Sequence, residues 1–136
     1  KKMANNIPSV LPTSQKYFYF RTVSTLANDD ATGDSLVIPV SAFVGGQPTS
    51  DTAVTLYFEP VIVHDDRGAD TFKNNDTVVV NTDTNKAKEV LKAMLDAAAG
   101  KNFKSQGMIV VADDVTETYL EGVATCGAIT IAAAAS

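Results

Sequence analysis

Tryptophan is missing from this 136-residue chain, and cysteine and histidine occur once each. A single cysteine, Cys126, excludes an internal disulfide, which suits folding in a reducing compartment. A single histidine, His64, excludes any site built on several imidazoles. No apolar run approaches the roughly 18 residues that a membrane-spanning helix needs, so no membrane partner is expected. The eleven Lys and Arg residues are scattered and form no basic stripe. With a net charge of −5, the surface repels phosphate backbones, and no nucleic-acid partner is expected. Gly-rich phosphate loops are also lacking, because Gly45-Gly46 is followed by neither a lysine nor a helix.

The chain does have strand-forming segments joined by Asp, Asn, Gly and Thr. Its length suits one core, and its hydrophobic fraction of 45% is that of a globular protein. Lys1-Lys2 ahead of Met3-Ala4 reads as a remnant upstream of a natural start. Residues 1–16 read as an extended N-terminal arm, since Pro8 and Pro12 forbid both a helix and a signal-peptide core. Residues 17–136 then form a single globular domain.

Tyr17–Val23 is aromatic and β-branched, as a strand requires. Phe18, Phe20 and Thr22 alternate with Tyr17, Tyr19 and Arg21, so both faces of that strand need cover. Asn28–Asp34 is a turn signal before a second strand at 35–44. Pro39 makes that strand an edge or a bulged one, and Gly45-Gly46-Gln47-Pro48 closes it. A third strand region spans 52–63, with Pro60 breaking it. His64–Asn75 is a polar loop, and Thr77–Asn81 is a short valine strand. The period then changes from two to 3.6. Ala87, Val90, Leu91, Met94, Leu95 and Ala98 share one face of a helix over about 84–99. Asp83, Thr84 or Asn85 caps it, and Gly100 ends it in the left-handed conformation. Its expected buried residues are Val90, Leu91, Met94 and Leu95. Strands follow at 108–112 and 122–133, with a bulge at Gly127. The expected fold is α+β: a mainly antiparallel sheet or sandwich with one amphipathic helix packed on it.

Three acidic clusters hold the residue types that could carry chemistry. Asn28-x-Asp30-x-Thr32-Gly33-Asp34 matches the front half of a calcium loop, but Pro39 stands where a closing glutamate belongs. An Asx-rich turn is the commoner outcome of such a pattern. His64-Asp65-Asp66-Arg67-Gly68 offers a His–Asp pair without a nucleophile elbow, and reads as a solvated loop with an ion pair. Asp113 and Asp114 are adjacent, point apart, and read as a turn cap rather than a glycosidase pair. Cys126 lies in an apolar run with no activating neighbour, so a small buried side chain is expected. No catalytic residue, cofactor or metal ligand is assigned, and an enzyme is not expected.

Four phrases carry a likeness to a known group. They are Tyr17–Val23, Asn28–Asp34, Gln47-Pro48-Thr49-Ser50-Asp51-Thr52-Ala53, and Gly127–Ala134. Together they resemble small virion structural proteins of tailed phages that infect marine cyanobacteria. The resemblance implies a virion component made in the host cytoplasm, and it carries over no site residues. The expected role is a capsid decoration or cement protein, self-assembling with a trimer favoured and touching the major capsid protein. A tail-tube or head–tail connector subunit is the alternative within a virion, and a calcium- or carbohydrate-binding module lies outside it. Tyr17, Tyr19 and Phe20 are the candidate interface residues, because aromatics are enriched at such contacts.

Overall fold

The computed structural model describes residues 16–60, 75–100 and 107–131. The expected arm (apart from Lys16), the His64–Gly68 cluster and the last residues of the strand expected over 122–133 lie outside them. Strands β1 (Tyr17–Arg21), β2 (Ser35–Pro39), β3 (Phe43–Ser50), β4 (Ala53–Phe58) and β5 (Asp76–Thr82) precede helix α1 (Ala87–Ala98). Strands β6 (Met108–Asp113), β7 (Thr118–Tyr119) and β8 (Val123–Thr130) follow it. They form two four-stranded sheets, in the orders β2-β1-β6-β7 and β3-β4-β5-β8. Every pairing is antiparallel except β1 with β6. The fold is therefore α+β, a sandwich-like pair of mostly antiparallel sheets with a single described helix.

Four phenylalanines join the layers. Phe18 and Phe20 of the first sheet meet Phe58 of the second with ring centroids 6.3 and 5.9 Å apart, edge to face. Phe43 completes the cluster, 6.0 Å from Phe18 and 5.4 Å from Phe58. Such tilted arrangements suit the ring quadrupoles and fill the space between the sheets. Ile38, Val54, Leu56, Val78, Val80, Ile109 and Val111 pack around them, all buried. Phe20 is wholly buried here. It cannot be an interface residue as its aromatic character suggested, because alternation along β1 turns it inward with Phe18.

The helix begins later than its period suggests. Asn85 adopts a left-handed φ of 62° and Lys86 takes the cap position with no side-chain bond, so Asp83, Thr84 and Asn85 do not cap it. Gly100 does end it, at φ 85°. Val90, Met94 and Ala97 are buried, Leu91 is half-buried, and Leu95 is 57% exposed. The expected burial of Leu95 fails: α1 packs against β3 and β6 through a stripe that does not include it. The buried stripe is Val90, Met94 and Ala97, and Leu95 stands at its margin, beyond what the sheets cover.

Two further departures have local causes. Gly45-Gly46-Gln47-Pro48 does not close a strand but forms the middle of β3. An edge strand tolerates a proline, and Gly46 lets two leucines pack close: a Cβ there would lie 2.9 Å from the Leu91 and 3.0 Å from the Leu56 methyl ends, which would have to shift. The second strand lies on an edge, as Pro39 implied, but it ends at Pro39 rather than running to Val44, because a short turn at Val40–Ala42 leads into β3. Gly127 marks the bulge foreseen for it. Val78 and Val80 face Ile129 and Cys126, so three steps on β8 match two on β5. A Cβ on Gly127 would meet the Val79 carbonyl oxygen at 2.6 Å.

Candidate functional site

One cluster of charged residues gathers at the end of β1, around Arg21. Tyr19 faces Val110 on β6, but Phe20 faces Ala112, because β6 holds one extra residue between them. The slip turns Val111 and Ala112 both inward, and both are fully buried. It also brings Asp113 level with Arg21 on the outer face. Without it, Ala112 would stand beside Arg21. The guanidinium then donates from Nε to Asp113 Oδ1 at 2.8 Å and from Nη2 to Oδ2 at 2.9 Å, a bidentate pair. A third bond runs from Nη1 to Asp29 Oδ2 at 3.3 Å. The Ser35 hydroxyl donates to Asp29 Oδ1 at 2.9 Å. The Tyr19 ring lies under the guanidinium, 5.7 Å from its central carbon.

This cluster is saturated rather than poised. Asp113 Oδ1 also accepts from the Val115 amide at 3.0 Å, so the acidic cluster does cap its turn. The Arg21 hydrogen bonds, reinforced by those amides, hold the Asp113 carboxyl down at about 2, and the same pairing raises the Arg21 pKa. A carboxyl so low is no proton donor near neutral pH.

Asp114 points away from Asp113. Its Oδ1 accepts from the Tyr119 hydroxyl at 2.7 Å and from the Cys126 amide at 3.0 Å, tying the first sheet to β8 of the second. Thr22 adds hydroxyl bonds to the Cys126 and Gly127 carbonyls. Cys126 is buried, and burial followed by the Asp114 charge pushes its thiol up to about 12. It remains a neutral thiol. In the Asn28–Asp34 turn, Asp34 Oδ2 accepts from the Asp30 and Ala31 amides at 3.1 and 2.7 Å. Asp34 thus closes its own loop, as an Asx turn does.

The sequence reading did not anticipate the Arg21–Asp113 pair. The partners are 92 residues apart, and the one-residue slip that aligns them leaves no mark on the hydrophobic pattern.

Tyr17 and Tyr19 do lie outward, half-buried, on the face of the first sheet opposite the core. Val37 and Val110 flank Tyr19 in the neighbouring strands, and Pro39 and Met108 flank Tyr17. Val37 is 50% and Met108 49% exposed. These side chains make a contiguous apolar and aromatic surface, the kind that marks a contact site. No family model, curated protein or solved structure matches this chain. Its functional reading rests on the chemistry of its own surfaces.

Proposed function

We propose that this protein is a virion structural component of a tailed phage, a capsid decoration or cement protein that acts by assembling with itself. The observation that carries the reading is the outer face of the first sheet. Tyr17, Tyr19, Val37 and Met108 stand together there at the surface, while the nearby charges are spent on one another. A neighbouring subunit covering that face removes the apolar area from water, at roughly 25 cal/mol per Å2. Three copies are favoured, because decoration proteins commonly occupy local three-fold positions. The major capsid protein is the second partner, and neither enzymatic activity nor a cofactor belongs to this role.

The test is the solution mass together with negative-stain images at high concentration. Small discrete particles, shifted toward monomer by Tyr17→Ala plus Tyr19→Ala with the fold intact, support the proposal. Long tubes or open rings would move it to the tail tube or connector. A single-chain mass for the unmutated protein at tens of micromolar rules out self-assembly in solution.

A further inference from the structure

The outer side of α1 carries two parallel rows at four-residue spacing. One row is Ala87, Leu91 and Leu95, and the other is Lys88, Lys92 and Asp96. Residues four apart stack along a helix surface as a ridge. With Pro48 of β3, these rows line an apolar groove of about 560 Å3 between helix and strand. Leu95 stands 57% exposed at one end of it. The groove lacks the converging polar groups that orient a small ligand. Its charges lie in a line along the helix instead, reading plus, plus, minus from Lys88 to Asp96.

That pattern is complementary to itself. A two-fold axis sets two identical surfaces face to face and running in opposite directions. With the axis at Leu91, each Leu95 falls on the partner's Ala87, large on small, and the two Leu91 side chains meet at the centre. In the same register each Lys88 is offset from the partner's Asp96 by two residues, about 3 Å along the helix, within reach of a lysine side chain. Lys92 already bonds Asp96 of its own helix at 2.9 Å, which offsets the repulsion of the central lysines. The same order of charges met in parallel would set like against like.

We infer that α1 is a second self-association surface, pairing antiparallel with α1 of another copy about a two-fold axis. It is distinct from the Tyr17–Tyr19 face, which lies on the first sheet. Two-folds through α1 give an even number of chains. If the tyrosine face also closes three-fold rings, six copies result.

Sedimentation of the unmutated protein and of four variants tests this. Leu95→Glu is expected to halve the mass with an unchanged melting curve, since Leu95 is exposed. Lys88→Asp and Asp96→Lys each set like charges opposite and are expected to weaken pairing at least tenfold. Lys88→Asp combined with Asp96→Lys is expected to restore it. The double variant keeps one attractive and one repulsive four-residue pair within its own helix, as the unmutated chain does. An odd-numbered mass for the unmutated protein, or a mass untouched by Leu95→Glu, would overturn the inference. A double variant no better than the singles overturns it too. The two surfaces separate cleanly. A mass that falls with the tyrosine changes but not with Leu95→Glu ends this inference alone, and the reverse ends only the tyrosine contact.

Discussion

The two sheets share a core but present opposite kinds of surface to the outside. The outer face of the first sheet shows Tyr17, Tyr19, Val37, Val110 and Met108. The outer face of the second shows Gln47, Tyr57, Thr77, Asn81 and Thr125, with Val79 among them and Thr55 buried beneath its neighbours. On the second sheet the polar groups bond across strands: Asn81 Nδ2 to the Thr125 hydroxyl at 2.8 Å, and Gln47 Nε2 to the Tyr57 hydroxyl at 2.9 Å. Such a face is complete in water. The first face has few polar groups to satisfy and much apolar area left in water, so cover stabilises it. The same strand alternation that builds a single core thus leaves one finished exterior and one that gains from a neighbour.

The sharpest break in the comparison is between inside and outside on one strand. Phe58 and Tyr57 are neighbours on β4, one at the centre of the phenylalanine cluster and one on the finished exterior. Phe58→Ala is expected to cost about 3–5 kcal/mol of stability, measured by denaturant titration. Tyr57→Ala is expected to cost about 1 kcal/mol or less. Equal losses would show that the second sheet's outer face is covered too.

How much of this was legible in the sequence depended on the kind of signal. The alternation of Phe18 and Phe20 with Tyr17 and Tyr19, the edge position of the strand carrying Pro39 and the Gly127 bulge followed from period two and from the backbone rules for proline and glycine, but period two alone did not say which side of β1 faces the core, so Phe20 was grouped with the tyrosines. The eight-residue β3 did not, because Gly45, Gly46 and Pro48 are turn residues in isolation and strand residues only beside Leu91 and β4. The exposure of Leu95 was hidden for a related reason. Period 3.6 identifies an apolar arc but not how much of it the rest of the fold covers. The Arg21–Asp113 pair depends on a slip of one residue in a parallel pairing, and only the assembled sheet reveals it.

Gly127→Ala comes next in size. The added methyl meets a backbone oxygen of β5 rather than a yielding side chain, so the bulge must open. A loss of about 1–3 kcal/mol is expected, read as a lower melting temperature. If the substitution is neutral, β8 does not hold this register.

The charge cluster gives a pH dependence of known sign. The Asp113 carboxyl titrates at about 2 in the fold and at the ordinary 3.8 outside it. Its contribution is therefore fully present above the ordinary value and is lost as pH falls toward 2. Melting temperature is expected to drop over that interval, and less steeply in Asp113→Asn. Parallel acid profiles for the two proteins would show that Arg21 does not hold this carboxylate.

The smallest effect belongs to the finished face. Asn81→Ala removes one exposed side-chain bond and is expected to change stability by about 0.5 kcal/mol, with no change in mass.

On the function proposed above, the first sheet's outer face is a contact surface and the second sheet's is not. Light scattering at tens of micromolar tests it directly, on the unmutated protein, on Tyr17→Ala plus Tyr19→Ala, and on Asn81→Ala plus Thr125→Ala. The expected masses are a multiple of the 14.3 kDa chain for the first and third and a smaller particle for the second, all folded. A 14.3 kDa particle for the unmutated protein, or a mass that falls only with the Asn81 and Thr125 changes, would contradict it.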